Sequence, residues 1–87
     1  MKILIAEDSQ IFQVLYRELI QGWGFNCDIA ENGLEAVRLA QENKGKYALC
    51  IMDIIMPNMN GFEATKVIRK TVGFFPIILE TVSNCFF

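Results

Sequence analysis

The fold of this chain is decided by one stretch, which reads Met52-Asp53-Ile54-Ile55-Met56-Pro57-Asn58-Met59-Asn60-Gly61-Phe62-Glu63. It follows an unbroken apolar run, Tyr47–Met52, and it leads into a segment whose apolar residues have helical spacing to about Thr71. Continuous apolarity is typical of a strand that is buried on both faces, as in a parallel sheet. The stretch therefore predicts a buried strand ended by an acid, then a loop, then a helix.

Two Asn-Gly pairs, Asn32-Gly33 and Asn60-Gly61, need an interpretation because Asn-Gly is also the strongest hairpin signal. Each pair is followed two residues later by a glutamate, Glu35 or Glu63. Asn at the N-cap with Glu at the third helical position is a capping box, which satisfies backbone N–H groups at a helix start. We therefore predict that both pairs begin helices.

Working outward from these helix starts, strands and helices alternate along the whole chain. The predicted strands are Lys2–Ala6, Phe25–Ala30, Tyr47–Met52 and Pro76–Thr81, and the predicted helices are Ser9–Gln21, Asn32–Asn43 and Asn60–Thr71. Since crossovers between parallel strands are right-handed, this alternation predicts a doubly wound α/β fold with an open parallel sheet. The length of 87 residues predicts a single domain, 1–87.

The first two helices are predicted to be amphipathic. The apolar side of the first is expected to carry Ile11, Leu15 and Leu19 at positions i, i+4 and i+8, flanked by Phe12, Tyr16 and Ile20. The apolar side of the second is expected to carry Leu34, Val37 and Ala40 or Leu39.

Composition and charge exclude several classes of function. The chain is 53% apolar with a net charge of −2 and no histidine. The slightly acidic balance argues against nucleic-acid binding by this domain, and the absence of histidine excludes a His-based catalytic triad or metal site. The longest apolar run, Phe74–Leu79, is too short to span a membrane.

The cysteines and the N-terminus indicate the compartment. Cys27, Cys50 and Cys85 are odd in number and have no Cys-x-x-Cys spacing, so they are interpreted as small buried hydrophobes in a reducing environment. The apolar run Ile3–Ala6 is too short for a signal peptide. A cytoplasmic location, without membrane association, is therefore expected.

Acidic residues follow two of the predicted strands. Glu7 and Asp8 follow the first strand, and Asp53 follows the third. If these strands are neighbours, the three carboxylates meet at the carboxyl edge of the sheet, where open α/β folds bind ligands. Because the carboxylates repel one another, a cation must offset them, and oxygen ligands at an open edge suit Mg²⁺. Thr81, at the end of the fourth strand, would place a hydroxyl beside the same edge.

Simpler explanations exist for each of these residues. Glu7 and Asp8 could serve only the N-terminus of the first helix, with Asp8 or Ser9 as its cap. Asp53 could be a solvated loop acid, and Thr81 a structural strand residue. Glu80 is unusual in an apolar strand, and it fits better if that strand lies at a sheet edge, where charge discourages unwanted pairing.

Taken together, the motifs resemble the receiver domain of two-component response regulators. The matching pieces are Ile3-Leu4-Ile5-Ala6-Glu7-Asp8-Ser9, Ile29-Ala30-Glu31-Asn32-Gly33-Leu34-Glu35-Ala36, the stretch Met52–Glu63, and Pro76-Ile77-Ile78-Leu79-Glu80-Thr81-Val82. The resemblance implies a flavodoxin-like sheet with strand order 2-1-3-4. It also implies a signalling module without enzymatic turnover, whose partner is a sensor histidine kinase or a phosphotransfer protein.

The resemblance further implies a role for each site residue. Asp53 is expected to accept the phosphoryl group, and Thr81 to be the switch hydroxyl that hydrogen-bonds it. Glu7, Asp8, Asp53 and the backbone carbonyl of Ile55 are expected to bind Mg²⁺. Two rival activities lack their motifs: an aspartate-nucleophile phosphatase would have a second Asp where Ile55 stands, and a dinucleotide site would have a Gly-rich turn after the first strand.

One departure from the family pattern leads to an alternative function. A complete receiver has a fourth helix, a fifth strand bearing a lysine, and a fifth helix, and this sequence shows none of the three. We therefore predict a C-terminally truncated receiver. The alternative is a degenerate receiver that does not signal by phosphate and acts in protein interaction or self-association. A homodimer or larger species, formed through the exposed C-terminal strand edge, is expected in either case.

Overall fold

The computed structural model describes residues 1–73 and 75–80, along which strands and helices alternate. The strands are β1 (Lys2–Ala6), β2 (Asn26–Ala30), β3 (Tyr47–Asp53) and β4 (Ile77–Glu80). The helices are α1 (Gln10–Gly22), α2 (Gly33–Glu42) and α3 (Gly61–Thr71). Every predicted element is therefore present within the described residues, with ends that differ by at most one residue. The predicted end of the fourth strand, Thr81, lies outside the described residues.

The sheet is parallel throughout, with the strand order β2-β1-β3-β4. In its centre, Ile5 of β1 pairs with Ile29 of β2 on one side and with Ile51 of β3 on the other. This arrangement confirms the predicted doubly wound α/β fold and the order 2-1-3-4. It also puts β4 at one edge of the sheet within the described part of the chain, which is the position that Glu80 had suggested.

One face of the sheet packs against α2 and α3. The buried residues that form this core are Leu4, Ala6, Ala30, Ala36, Ala40, Tyr47, Cys50, Met52, Met56, Ala64 and Ile68. The helices contribute mainly alanine, whose small side chain lets a helix lie close to the strands. The prediction that Leu34 belongs to the buried side of α2 is therefore wrong, because Leu34 is 52% exposed while Ala36 and Ala40 make the close contact.

The other face of the sheet is covered by α1. Ile20 is buried against Ile3 and Ile5, and Tyr16 packs at the margin of this cluster. The prediction that Ile11, Leu15 and Leu19 form the buried side of α1 is wrong, since these three residues are 72%, 53% and 48% exposed. Their periodicity correctly indicates a helix, but the helix lies on β1 and β2 through the flank that carries Tyr16 and Ile20.

Both Asn-Gly pairs begin helices, as predicted. The side chain of Asn60 accepts a hydrogen bond from the backbone N–H of Glu63, at 2.9 Å, and the Glu63 carboxylate accepts one from the N–H of Asn60, at 3.1 Å. At α2, Asn32 accepts from the N–H of Glu35 at 2.8 Å. The complete box is present only at α3 among these two helices.

The cysteines that the structure describes are unpaired thiols. Cys50 is fully buried, and burial raises the pKa of its thiol to about 12, so it remains protonated and acts as a small apolar side chain. Cys27 is half-buried, and Cys85 lies outside the described residues. In the described part of the chain, none of the helices is long and apolar enough to cross a membrane.

A polar cluster joins Asp28, in the middle of β2, to Lys2 and Tyr47, the first residues of β1 and β3. The carboxylate of Asp28 accepts a hydrogen bond from the hydroxyl of Tyr47, at 2.6 Å, and one from the ammonium group of Lys2, at 2.9 Å. Burial alone would raise the pKa of Asp28, but these two donors outweigh it and hold the pKa below its usual value of 3.8. Asp28 therefore stabilises the fold in its ionised form.

Replacement of Tyr47 by Phe tests this cluster. We expect the pKa of Asp28 to rise towards its usual value, and the free energy of unfolding at pH 7 to fall by about 1 kcal/mol because one hydrogen bond to a partly exposed carboxylate is lost. A pKa lowered in the folded state means that the stabilisation is present at neutral pH and disappears as the pH falls below 3.8. The difference in free energy of unfolding between wild type and Tyr47→Phe should therefore become smaller as the pH falls.

The measurements are urea unfolding at several pH values and carboxyl NMR titration of Asp28. Tyr16→Phe is the matched control for the Asp28 titration, since Tyr16 lies on α1 and takes no part in this cluster. An unchanged Asp28 pKa in Tyr47→Phe would contradict the assignment.

Candidate functional site

The carboxyl edge of the sheet carries a row of three acids. Asp53 pairs with Glu80 across β3 and β4, and Glu7 follows Ala6, which pairs with Met52 next to Asp53. Residues at the same level of neighbouring parallel strands point to the same face and are about 4.8 Å apart. Carboxylate oxygens of Glu7, Asp53 and Glu80 do lie within 4.8 Å of one another. We call these three residues the acidic row.

The row opens on the sheet face that α1 covers. Along β3, Asp53 points to the same side as Ile51, which belongs to the cluster around Ile20. Both Glu7 and Asp53 are 0% exposed. Burial is the main reason that the pKa of Glu7 rises to about 7, and the negative charges of Asp53 and Asp8 add to it. The row therefore brings acidic side chains together in a buried position, where the ionised form of Glu7 is disfavoured.

Short hydrogen bonds hold Glu7 at the start of α1. The N–H of Ser9 donates to Oε2 of Glu7 at 3.0 Å, and the side-chain amide of Gln13 donates to the Glu7 carbonyl at 2.6 Å. Ser9 occupies the N-cap position, but its own side chain makes no capping hydrogen bond. Glu7 thus interacts with the first turn of α1, as the simpler explanation held, and it also belongs to the acidic row.

The loop after β3 positions Asp53. The N–H of Ile55 donates to Oδ1 of Asp53 at 3.3 Å, and the N–H of Gly61 donates to the Ile54 carbonyl at 2.8 Å. The start of α3 therefore lies directly against the backbone that carries Asp53. Gly61 is required for this contact, because a Cβ atom there would collide with the carbonyl oxygen of Asp53 and the Cα of Ile54.

The predicted site residues are thus placed as follows. Glu7 and Asp53 are brought together in the row, whereas Asp8 is exposed and contributes no ligand atom to it, although its charge acts on Glu7. Ile55 lies two residues beyond Asp53 and contacts it through its N–H. Thr81 lies outside the described residues, so its predicted role stays a prediction.

Glu80 is the site residue that sequence reasoning missed. Its charge at the end of an apolar strand was visible, but it was explained by the strand edge alone. The signal that points to the site is register: Glu80 is opposite Asp53. The hydroxyl of Tyr16 donates a hydrogen bond to Glu80, which together with burial raises the pKa of Tyr16.

The donor set of the row fits a hard divalent cation. Carboxylate oxygens are the ligands that Mg²⁺ and related ions prefer. In addition, Oε1 of Glu7 is buried and accepts no hydrogen bond from residues 1–73 or 75–80. A buried oxygen of this kind normally has a partner, and a cation would supply one.

Comparison with known proteins places this site in a family. A family model described as the response regulator receiver domain matches residues 3–85. The chain belongs to this family. It is a receiver domain of two-component signalling systems, which confirms the resemblance read from the acid pair, Asp53 and the two Asn-Gly helix starts.

Relatives of this receiver occur in larger signalling proteins. The chain is 43% identical over 84 residues to a probable transcriptional regulator, ycf29, of Porphyra purpurea, covering 94% of this chain and 39% of that protein. It is 44% identical over 69 residues to hybrid signal transduction histidine kinase B of Dictyostelium discoideum, covering 79% of this chain and 3% of the kinase. This receiver therefore spans well under half of either relative.

Solved structures agree with the fold. The receiver domain of the hybrid histidine kinase CckA is 32% identical, with a TM-score of 0.84 over 91% of this chain and 73% of that chain. The receiver domain of a sensor histidine kinase from Pseudomonas aeruginosa is 29% identical, with a TM-score of 0.84 over 90% of this chain and 64% of that one. The latter structure contains a magnesium ion coordinated in its active-site cleft.

The contact between Gly61 and the Asp53 backbone gives a prediction for this receiver. Gly61→Ala should lower the free energy of unfolding by about 1–3 kcal/mol, because the new methyl group overlaps backbone atoms that cannot move alone. It should also shift the backbone NMR signals of Asp53 and Ile54.

Gly22→Ala is the matched control, since a Cβ atom at Gly22 meets nothing within 4 Å. At this helical position, alanine should be neutral or stabilise by up to about 1 kcal/mol. Urea unfolding followed by circular dichroism measures both variants. Equal stabilities for the two would contradict the steric argument.

Proposed function

We propose that this receiver accepts a phosphoryl group on Asp53, in the presence of Mg²⁺, from a sensor histidine kinase or a phosphotransfer protein. The observation that carries the proposal is the acidic row, in which the buried Asp53 lies beside Glu7 at the carboxyl edge of the sheet. The family membership supports the same function, because receivers exchange phosphoryl groups with such partners.

The proposed reaction makes one bond and breaks one. A carboxylate oxygen of Asp53 attacks the phosphorus of a phosphohistidine on the partner and forms an O–P bond. The N–P bond breaks, and its electron pair returns to the imidazole nitrogen, which takes up a proton from solvent. Because Asp53 is 0% exposed, side chains around it must move aside for the phosphorus to approach.

The residues proposed to hold Mg²⁺ are Glu7, Asp8, Asp53 and the backbone carbonyl of Ile55. Bound there, the ion would neutralise charge on the phosphoryl oxygens and on the carboxylates. Asp8 is exposed at the end of β1, next to Glu7, where it can meet an ion that enters from solvent. The N–H of Ile55 already contacts Asp53, so this backbone segment stays close to the acceptor.

Thr81 is proposed as the switch hydroxyl that hydrogen-bonds the phosphoryl group. It directly follows Glu80, which is the last described residue of β4 and is paired with Asp53. The role rests on the family resemblance.

The proposal is tested by incubating the full chain with a small-molecule phosphodonor and Mg²⁺ and measuring the intact mass. We expect one phosphoryl adduct, which disappears in Asp53→Asn because the amide is not a nucleophile comparable to the carboxylate. Omission of Mg²⁺ should reduce the yield by about tenfold or more, since charge neutralisation is the main contribution to this reaction.

Asp28→Asn is the control variant, because Asp28 lies on β2 and is not part of the acidic row. It should keep the adduct. An adduct that persists in Asp53→Asn, or one that is missing from every sample, would exclude Asp53 as the acceptor.

A second candidate function is self-association, and the exposed apolar residues of α1 favour it. Ile11, Leu15 and Leu19 form a stripe on the outer side of this helix. Ile78 of β4 pairs with Ile51, so it faces the same side of the sheet as α1, and it is 53% exposed. Within residues 1–73 and 75–80, β4 pairs with a strand on one side only. Exposed apolar side chains, and a strand that within the described residues is paired on one side, are both typical of interaction sites.

For this candidate we expect the full chain to be larger than a monomer in size-exclusion chromatography with light scattering at high concentration. Leu15→Lys should shift the mass to that of a monomer, because it puts a charge in the middle of the stripe. Leu34→Lys changes an equally exposed leucine on α2 and should leave the mass unchanged. A monomeric wild-type protein would exclude the candidate.

A further inference from the structure

Glu80 is the member of the acidic row that the Mg²⁺ site proposed above does not include. It is the last described residue of β4, Ile77-Ile78-Leu79-Glu80, and the three residues before it are apolar. Its pairing with Asp53 brings its carboxylate within 4.8 Å of the carboxylates of both Asp53 and Glu7. A charged residue at this level of the sheet therefore adds directly to the charge around the phosphoacceptor.

Tyr16 fixes the direction of the Glu80 side chain. Tyr16 lies on α1, packed against the cluster of Ile3, Ile5 and Ile20, and its hydroxyl donates a hydrogen bond to Glu80. The ring is held by apolar packing, so the hydroxyl is a fixed donor and not a mobile one. This hydrogen bond occupies part of the accepting capacity of the Glu80 carboxylate and holds it near the carboxylates of Glu7 and Asp53.

A second, independent observation points to a ligand between these carboxylates. Glu7 is 0% exposed, and its Oε1 atom is buried with no hydrogen bond from the described part of the chain. Its other oxygen accepts from the N–H of Ser9, so the side chain cannot turn away without losing that bond. The unpaired oxygen therefore belongs to a side chain that the Ser9 hydrogen bond holds and that takes part in the acidic row.

We propose that Glu80 is a carboxylate ligand of the divalent cation at this edge, so that Glu7, Asp53 and Glu80 bind the ion together and Tyr16 positions Glu80. This inference rests on the cation site of the proposed function and extends its ligand set. It concerns hard cations such as Mg²⁺ and Mn²⁺, which take oxygen ligands.

If Glu80 is a ligand, its effect on the stability of the folded state is opposite with and without the ion. Without it, Glu80 adds a like charge within 4.8 Å of two others, which destabilises the folded state. With it, Glu80 contributes to binding, and an ion that binds only the folded state raises the unfolding temperature. A Glu80 that served only as a structural partner of Tyr16 would stabilise the fold whether or not the ion is present.

The first experiment titrates the full chain with Mn²⁺ alone and measures free Mn²⁺ by electron paramagnetic resonance. Glu80→Gln keeps the size of the side chain and should weaken Mn²⁺ binding by about tenfold or more. Tyr16→Phe should weaken it less, because the carboxylate remains but is no longer fixed. Glu18→Gln removes an exposed carboxylate of α1 and should leave the affinity unchanged.

The second experiment measures thermal unfolding of the same proteins with and without Mg²⁺. Glu80→Gln should unfold at a higher temperature than wild type in the absence of Mg²⁺ and should gain less on its addition. Tyr16→Phe should unfold at a lower temperature without the ion, since it loses a hydrogen bond and relieves no charge repulsion. This crossed pattern separates a ligand from a packing residue.

Three outcomes decide between the hypotheses. Weaker binding and a smaller Mg²⁺ shift in Glu80→Gln, with Glu18→Gln unchanged, support the proposal. Equal Mn²⁺ affinity in wild type and Glu80→Gln overturns it and leaves the proposed function intact, provided that Asp53 is still phosphorylated. No Mn²⁺ or Mg²⁺ binding by the wild-type chain overturns both the cation site and this extension of it.

Discussion

The register of β3 between β1 and β4 is the constraint on which this site depends. Parallel pairing puts Glu7, which directly follows β1, at the level of Asp53 and Glu80, which are the last described residues of β3 and β4. This register brings carboxylate oxygens of the three residues within 4.8 Å of one another. A shift of one residue in either pairing would turn a carboxylate to the opposite face, against the helices α2 and α3. The apolar pairing of Ile5 with Ile29 and Ile51 holds the register against the repulsion of the acids.

The two faces of the sheet are packed differently. On one face, alanines of α2 and α3 approach the strands closely and bury Leu4, Cys50 and Met52. On the other face, α1 supplies Ile20 and Tyr16, and Ile78 of β4 is exposed. The acidic row lies on this second face. The face packed against α2 and α3 therefore supports the strand register, while the acidic row lies on the face that α1 covers.

Most of the fold could be predicted from local signals. The continuous apolar runs indicate buried strands, and the Asn60 capping box distinguishes a helix start from a hairpin by one glutamate. The proximity of Glu7 and Asp53 could be predicted, because each lies where a predicted strand ends. The face of α1 that packs against the sheet could not be predicted. The periodicity of Ile11, Leu15 and Leu19 identifies an apolar stripe, but it does not show which apolar residues of the helix contact the strands. Tertiary packing decides that question.

The electrostatic contacts of Glu80 could not be predicted from the sequence either. Its charge was visible in the sequence, but its partners Asp53 and Tyr16 lie on other elements, and their positions follow from register and helix placement. A phosphoryl group on Asp53 would bring further negative charge to a row in which burial, with the charges of Asp53 and Asp8, already raises the pKa of Glu7 to about 7. If Asp53 is phosphorylated as proposed, a third carboxylate should make the reaction depend more strongly on a cation than two carboxylates would, because each added charge in a buried site increases the repulsion to be offset.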